Sequence, residues 1–423
     1  MGKENISDLR LGDSTERYLT VMFSDIRSFT SLSESMTRQE NFAFINGYLR
    51  LMEPVMFRYR GFVDKYIGDA IMALFPTGAD DAVRAAIGML EQLKKFNVKR
   101  VAAGKSLIQI GIGLNSGVMM VGAVGGPHRM EPTVISDAVN LASRIEGLTK
   151  IYGVPLLITE HTYYGLSEAL ARDVRFIDRV KVRGKEQPQS VYEVFRADSP
   201  RTRTAKRRTR PIFEEALAHY HSKDIPTARR LLRQCLAACP EDSSALAYME
   251  RCRRFSKSRI HEGTGEIGLA VKWSPAMAVG EPLIDRQHRE LFTLANRFVH
   301  AMSNATAFSQ VQEILAFLSR YVKEHFETEE QRMREENYPL LDLQLEQHQR
   351  FSRLFARLSK DLKSLHSGGK VFLLFRVQLL VVDWLVHHTM KLDRHFGAYV
   401  KALRTRRRST AVGGTGRSPS RQP

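Results

Sequence analysis

The 423 residues of this chain allow two to four domains, each large enough to bury its own hydrophobic core. Three cysteines argue against a disulfide-rich secreted protein, and no apolar run reaches the roughly 18 residues of a membrane-spanning helix. The net charge of +18 comes mainly from basic stretches at 201–210 and 404–421, which lack the aromatic residues on which bases stack. We therefore expect a cytoplasmic protein, and weak contact of these stretches with nucleic acid or anionic membrane stays open.

The N-terminal region alternates predicted strands with amphipathic helices. Residues 1–17 are predicted to form a flexible lead-in, and the domain that follows is expected at 18–198. Strands are expected at 19–24, 156–159, 174–182 and 190–195, hairpins at 62–75 and 107–124, and helices at 38–58, 80–96 and 137–149. The second hairpin is expected to turn at 115–117. This order is typical of an α+β sandwich with helices packed over an antiparallel sheet.

Two aspartates stand where predicted strands end. Asp25 follows an apolar run, and Asp69 follows Gly68, which suits the first central position of a type II′ hairpin turn. Two carboxylates from neighbouring strands can share a pair of divalent cations, as phosphoryl chemistry with two metals requires. The backbone and hydroxyls of 28–30 precede a helical pattern, where a phosphate can bind.

Four segments in order resemble the signature segments of class III nucleotidyl cyclases. They are Phe23–Thr30, Lys65–Met72, Gly111–Gly117 and Thr133–Glu146. The resemblance implies a ferredoxin-like core that makes cyclic AMP or cyclic GMP from the nucleoside triphosphate. It also implies a head-to-tail homodimer, in which each site takes its metals from one protomer and its purine readers from the other.

The same resemblance implies a role for each matching residue. Two Mg²⁺ or Mn²⁺ ions would bind Asp25, Asp69 and the backbone carbonyl of Ile26. The nucleotide would be held by Ser28, Phe29, Thr30, Lys65, Thr133 and Lys185. Among these, Lys65 and Thr133 would read the purine as adenine, because guanine enzymes usually carry an acid at the lysine position. Asn140 would orient the ribose and Arg144 would meet the charge on the phosphate. Ser136 stands where the family usually has glycine.

The middle of the chain changes composition. Residues 199–211 are strongly basic, and we expect them to form a linker that does not pack. Residues 212–256 are predicted to be a helical connector that resembles one tetratricopeptide repeat. The residues that fit this repeat are Ala216, Ala228, Leu232 and Pro240. The cysteines of this region, Cys235, Cys239 and Cys252, are expected to be small core residues rather than metal ligands.

The C-terminal region, 268–403, has helical spacing and many histidines. Helices are expected at 284–302, 308–334, 341–365 and 371–403, which predicts a four-helix up-down bundle followed by a disordered basic tail at 404–423. Six ligand-type residues fall on inward positions of these helices: His288, His325, Glu329, His348, His388 and Asp393. Imidazoles and carboxylates that converge inside a bundle predict a di-iron site.

Three segments of this region resemble the hemerythrin family: Ile284–His288, His325–Met333 and Trp384–Asp393. The resemblance implies two non-haem iron ions that bind oxygen. Glu329 and Asp393 would bridge them, with His288 and His325 on one iron and His348 and His388 on the other. Gln344 stands where the family has a further histidine, which predicts an open or weakly held iron position that could admit another small gas, such as nitric oxide.

These interpretations lead to one main hypothesis and two alternatives. The main hypothesis is an adenylate cyclase that binds ATP and is regulated through oxygen or the redox state of the C-terminal di-iron site. The first alternative is a guanylate cyclase with the same sensor. The second is an oxygen- or iron-binding protein with an inactive cyclase domain.

Overall fold

The computed structural model describes residues 14–126, 129–180, 189–258, 273–303, 308–363 and 370–413. The chain divides into two compact units, residues 1–266 and 267–423. Within the described ranges, no helix combines the length and the apolar character needed to cross a bilayer.

The first unit is built on one mixed sheet. Its strands are β1 (Ser14–Ile26), β2 (Phe62–Ile67), β3 (Ala70–Phe75), β4 (Ile110–Gly126), β5 (Arg129–Ile135), β6 (Leu156–Thr159), β7 (Val174–Val180) and β8 (Gln189–Val194). Their order is β2-β3-β1-β4-β6-β8-β7, with β5 paired to β4 off this path. The predicted α+β architecture is confirmed, but the sheet is not wholly antiparallel, because β4 and β6 run parallel.

Helices connect and cover these strands. They are α1 (Phe29–Glu34), α2 (Arg38–Arg58), α3 (Ala79–Ala102), α4 (Asp137–Tyr152), α5 (Glu160–Tyr164) and α6 (Glu168–Ala171). Helix α2 begins with a capping box, in which the side chains of Thr37 and Glu40 each accept a backbone N–H of the other. Helix α4 lies directly on β4, because a Cβ on Gly113 would come within 2.2 Å of the Glu146 backbone nitrogen. This close approach brings α4 beside the ends of the central strands.

The predicted turn at 115–117 is wrong. Strand β4 runs without interruption from Ile110 to Gly126, and it pairs with β1 along its length. Asn115 and Ser116 are residue types typical of turns, yet both are buried and hydrogen-bonded to distant segments. The Asn115 amide donates to the Ala138 carbonyl at 2.9 Å, and Thr159 donates to the Asn115 oxygen at 2.7 Å. Polar side chains are compatible with a strand interior when the tertiary structure supplies such partners.

Strand β1 also begins earlier than predicted. Residues 14–17, which we assigned to the lead-in, pair with 119–122 of β4. Residues 1–13 lie outside the described ranges.

The basic stretch 199–211 is not an unpacked linker, which corrects that prediction. It forms the first half of α7 (Pro200–His221), which is followed by α8 (Ile225–Ala238) and α9 (Ser243–Ser258). Lys206 is buried on α7, where its ammonium lies 2.6 Å from a Glu193 oxygen of β8. Arg175 of β7 is fully buried and donates two hydrogen bonds to Asp242, at 2.6 and 2.7 Å. One pair joins a base of α7 to an acid of the sheet, and the other joins a base of the sheet to an acid between α8 and α9. These ion pairs therefore hold the connector helices against the sheet.

The connector helices bury small residues, as predicted. Cys235, Cys239 and Cys252 are buried free thiols. Ala216, Ala228 and Leu232 are also fully buried.

The second unit is helical. Its elements are α10 (Pro282–Ser303), α11 (Phe308–Glu335), α12 (Leu341–Lys363), α13 (Lys370–Val377), α14 (Trp384–His388) and α15 (Arg394–Gly413). Two π-helical segments, Gln378–Asp383 and Thr389–Asp393, interrupt the last stretch. Helix α15 includes 404–413, so this part of the predicted tail is not disordered; 414–423 lie outside the described ranges.

Candidate active site and metal centre

The aspartates Asp25 and Asp69 meet at one edge of the sheet. Asp25 lies near the end of β1, and Asp69 lies in the tight turn between β2 and β3, where Gly68 has φ of 66° as the predicted turn requires. The backbone N–H of Ile26 lies 3.0 Å from an Asp25 oxygen and 3.3 Å from an Asp69 oxygen. Both carboxylates thus converge on one amide, as a shared cation site needs.

A third carboxylate, which sequence reasoning missed, stands beside this pair. Burial, the hydrogen bond with Asp69 and the charges of Asp69 and Glu146 raise the pKa of Asp25 to about 7. Burial and the charge of Asp69 also raise the pKa of Glu146, against the opposing effect of Arg27. Crowded carboxylates with raised pKa values are the electrostatic signature of a site that a cation would stabilise. Glu146 is the last residue of the fourth signature segment, and its position there could have indicated a third carboxylate at the site.

Lys65 and Thr133 are brought together from β2 and β5. The Lys65 ammonium donates to the Thr133 hydroxyl oxygen at 2.9 Å. The Thr133 hydroxyl in turn donates to Asp64 at 3.2 Å, a contact that sequence reasoning did not foresee. The three polar groups form one cluster within a single chain.

Asn140 and Arg144 lie on the exposed face of α4, one turn apart. Ser136 caps this helix: its side chain accepts the Ala138 N–H at 3.1 Å, and its φ of −169° is extended backbone that any residue adopts. The serine at a position where the family has glycine therefore causes no backbone strain. Ser28 to Thr30 stand at the start of α1, and Ser28 adopts φ of 55°. Lys185 lies outside the described residues.

In the second unit, all six predicted ligand-type residues are buried and face one another. One group joins His288, His325 and Glu329, and a second joins Glu329, His348 and His388; in each group the potential donor atoms lie within 4.8 Å of one another. Asp393 joins the two groups, with oxygens 3.3 Å from His288 Nε2 and 3.1 Å from His388 Nε2.

A π-helical segment explains how His388 and Asp393 reach the same cluster. Residues five apart in an α-helix diverge, whereas a π-helical turn aligns residues i and i+5. The segment Thr389–Asp393 has that geometry, so both side chains point to the same interior.

The electrostatics of the cluster fit a metal. Burial and the charge of Asp393 raise the pKa of Glu329 to about 8, whereas His388 and His288 overcome the effect of burial and hold the pKa of Asp393 well below its usual range. Burial and the charge of His288 lower the pKa of His325, so its imidazole is neutral, the form that binds metals. Both Glu329 oxygens are buried without a hydrogen-bond donor. Buried acceptors in this condition are costly unless a cation satisfies them.

Gln344 occupies the cluster at the position where the hemerythrin pattern has histidine. Its amide nitrogen lies 2.7 Å from an Asp393 oxygen and 3.0 Å from His388 Nε2, and its carbonyl oxygen is buried without a partner. Glu346, which could have replaced the missing ligand, is exposed instead. Sequence reasoning missed two supporting residues: Glu330 lies 3.0 Å from His348 Nδ1, and Gln287 lies 3.3 Å from His325 Nδ1. Such contacts orient ligating imidazoles.

Comparisons with known families match both units. A family model described as the adenylate and guanylate cyclase catalytic domain matches residues 13–194, and one described as the hemerythrin HHE cation binding domain matches 279–400. The chain carries a cyclase catalytic domain and a hemerythrin domain. Cyclase domains use Mg²⁺ or Mn²⁺, and hemerythrin domains bind non-haem iron. The buried histidines and carboxylates of the C-terminal unit agree with the second of these.

Several relatives resemble the cyclase domain. An adenylate cyclase of Anabaena cylindrica is 47% identical over 197 residues, which cover 45% of this chain and 39% of that protein. The terminal-differentiation specific adenylate cyclase of Dictyostelium discoideum is 37% identical over 257 residues, 59% of this chain and 12% of that protein. The solved adenylyl cyclase CyaB of P. aeruginosa is 32% identical with a TM-score of 0.39, covering 45% of this chain and 98% of that one. The chain spans less than half the length of the two curated relatives.

Proposed function

We propose that this protein is an adenylate cyclase, which converts ATP to 3′,5′-cyclic AMP and pyrophosphate, and that the hemerythrin domain regulates it through oxygen or redox state. The observation that carries the enzymatic part is the convergence of Asp25 and Asp69 on the Ile26 amide, in a domain matched by the cyclase family. The adenylate cyclases of Anabaena and Dictyostelium support adenosine over guanosine as the nucleoside.

In this proposal, different residues bind the metals, the ribose and the phosphates. Asp25, Asp69 and the Ile26 carbonyl would hold two Mg²⁺ or Mn²⁺ ions, which lower the pKa of the ribose 3′-hydroxyl and stabilise charge on the α-phosphate. Asn140 orients the ribose, and Arg144 stabilises negative charge on the phosphate from the exposed face of α4. The start of α1 and Lys185 hold phosphates.

The purine is read by Lys65 and Thr133. A lysine ammonium donates to a ring nitrogen of adenine, and a threonine oxygen accepts from the 6-amino group. Their contact at 2.9 Å supports a shared role, since the two groups already stand within reach of one flat ligand.

A homodimer completes the site in this proposal. Large apolar side chains are exposed around the purine readers and the metal-bearing turn: Tyr66 at 43%, Ile67 at 52%, Val124 at 46% and Ile135 at 61%. Large exposed apolar residues near a site favour burial against another protein surface, here a second copy of the chain.

The regulatory part rests on the buried cluster of the hemerythrin domain. Its four histidines and two carboxylates would hold two iron ions, which bind oxygen or a similar small ligand and change oxidation state. Gln344, as an amide among imidazoles, weakens the hold on one position and favours a centre that changes state over a stable carrier.

The test measures the full-length protein with Mn²⁺ and either ATP or GTP, in the metal-free, di-ferrous, oxygenated and di-ferric states. We expect cyclic AMP as the main product and a rate that depends on the iron state. No cyclic nucleotide in any state would favour an iron- or oxygen-binding protein with an inactive cyclase domain. A higher kcat/KM with GTP would favour the guanylate cyclase. A rate independent of the iron state would remove the regulatory part alone.

A further inference from the structure

The cluster around Thr133 contains a residue to which no role has been given. Asp64 precedes Lys65 on β2, and its side chain is only 3% exposed. The pairing of β2 with β3 shifts register between Val63 and Lys65, so Asp64 is an extra residue in the strand. Such a bulge redirects side chains, and here both Asp64 and Lys65 reach Thr133.

The three groups differ in what they can donate. A lysine ammonium only donates hydrogen bonds, an ionised carboxylate only accepts them, and a threonine hydroxyl has one proton and two acceptor positions. Lys65 donates to the Thr133 oxygen at 2.9 Å, and Thr133 donates its proton to Asp64 at 3.2 Å. Asp64 therefore decides the direction of the Thr133 hydroxyl.

The direction of this hydroxyl determines which purine it can read. With its proton committed to Asp64, Thr133 offers only lone pairs to a ligand. The 6-amino group of adenine donates to such an acceptor, whereas the 6-oxo group of guanine or hypoxanthine meets it as acceptor against acceptor. A polar site that leaves a ligand group unpaired rejects that ligand strongly.

We infer that Asp64 is a specificity-determining positioning residue: it holds the Thr133 proton, so that the pair of Lys65 and Thr133 accepts a 6-amino purine and rejects a 6-oxo purine. The inference rests on the proposed function and deepens it. Asp64 acts through Thr133 and does not itself touch the nucleotide.

The test compares ATP with ITP, which carries the 6-oxo group but lacks the 2-amino group of guanine. In Asp64→Asn the new amide can donate to Thr133, which frees the hydroxyl proton to face the ligand. We expect the ratio of kcat/KM for ATP over ITP to fall about tenfold, the discrimination of one hydrogen bond. Asp64→Glu, which keeps a carboxylate, should retain more of the wild-type ratio. Asp64 also lies 3.3 Å from the Lys65 ammonium, so Asp64→Asn could act through Lys65 as well as through Thr133, and a second background is needed to separate the two.

A second variant separates this role from a structural one. In Thr133→Val there is no hydroxyl to direct, so adding Asp64→Asn should leave the ratio unchanged. Thermal unfolding of each variant shows whether the domain remains folded. If Asp64→Asn lowers kcat/KM for ATP and ITP equally, or if its effect on the ratio persists beside Thr133→Val, the inference is wrong.

Binding of unreactive nucleotides keeps the two proposals apart. The 3′-deoxy forms of ATP and ITP cannot cyclise, so their Kd values report purine recognition without turnover. A wild type that forms no cyclic AMP but prefers 3′-deoxy-ATP, with a preference that Asp64→Asn weakens, would overturn the proposed function and leave the role of Asp64 in recognition supported. If the wild type forms cyclic AMP but the ratio of the two Kd values does not change in Asp64→Asn, the proposed function stands and the role of Asp64 is wrong.

Discussion

The two candidate metal sites of this chain differ in how far each is enclosed. The carboxylates of the cyclase domain, Asp25 and Asp69, are half-buried at a sheet edge. Large apolar side chains near the predicted purine readers remain exposed. In the hemerythrin domain, His288, Glu329 and Asp393 are fully buried, and the predicted ligands face one another within one chain.

Under the proposed function, this difference follows from what each site would have to do. A site that admits a large charged nucleotide and releases two products has to remain accessible, and a second copy of the chain can complete it. A site that binds a diatomic gas can be closed, and closure strengthens every electrostatic interaction within it. The shift of the Glu329 pKa to about 8 reflects this enclosure. Four predictions test the comparison.

Removal of either catalytic acid should have the largest effect. We expect Asp25→Ala and Asp69→Ala each to lower the rate of cyclisation by at least about a hundredfold. Each substitution removes a carboxylate that would bind the metal ions, and those ions would stabilise the negative charge on the α-phosphate. The iron content should not change, since the predicted iron ligands lie in the other unit. Glu34→Ala, which removes an exposed carboxylate from α1, is the control and should retain full activity. Near-normal turnover of either variant with Mg²⁺ would contradict the assignment.

Mixing two inactive variants should restore part of the activity. If each site takes its metals from one protomer and its purine readers from the other, Asp25→Ala and Lys65→Glu form heterodimers with one intact site. Equal amounts that exchange freely should regain about a quarter of wild-type cyclisation, given a two-fold symmetric dimer. Two different metal-site variants, Asp25→Ala with Asp69→Ala, are the control and should regain none. No recovery in the first mixture, despite proven subunit exchange, would argue for a site complete in one chain.

The same experiment on the iron cluster should give the opposite result. Removal of an outer partner of a metal ligand already lowers affinity 10–100-fold. Removal of a predicted ligand itself, in His288→Ala or His388→Ala, should therefore weaken iron binding by at least about tenfold. A mixture of the two should not recover, because the ligand groups that contain these residues lie within single chains. Iron counted per chain and the visible absorption of the centre measure this. Recovery on mixing would show that ligands are exchanged between chains.

Gln344→His should have the smallest effect. An imidazole in place of the amide strengthens the hold on the iron shared by His348 and His388, so we expect oxidation of the di-ferrous centre by air to slow roughly a few-fold. Stopped-flow absorption with iron counted in parallel measures it, and the conservative variant Gln344→Asn is the control. Equal rates at equal iron content would show that Gln344 does not limit the centre.

The sequence predicted the elements whose signal is local. Helix α2 was predicted at its observed bounds, because its apolar spacing is a property of one contiguous stretch of the chain. The glycine of the turn before Asp69 was likewise readable from its neighbours. The predicted iron ligands could be identified in part because helical periodicity turns residues four apart, such as His325 and Glu329, toward one face. His388 and Asp393 are five residues apart and reach the same interior through a π-helical segment that the sequence did not predict.

Only the tertiary structure decided how polar residues are used. Asn115 and Ser116 have the composition of a turn, but partners about 20 to 100 positions away in the sequence bury them within β4. Lys206 and its neighbours have the composition of a linker, but Glu193 of the sheet pairs with that lysine and allows it to pack. The bulge that turns Asp64 toward Thr133 depends on strand pairing and has no local signature. A buried polar group is stable only with its partners, and those partners come from segments that the chain brings together on folding.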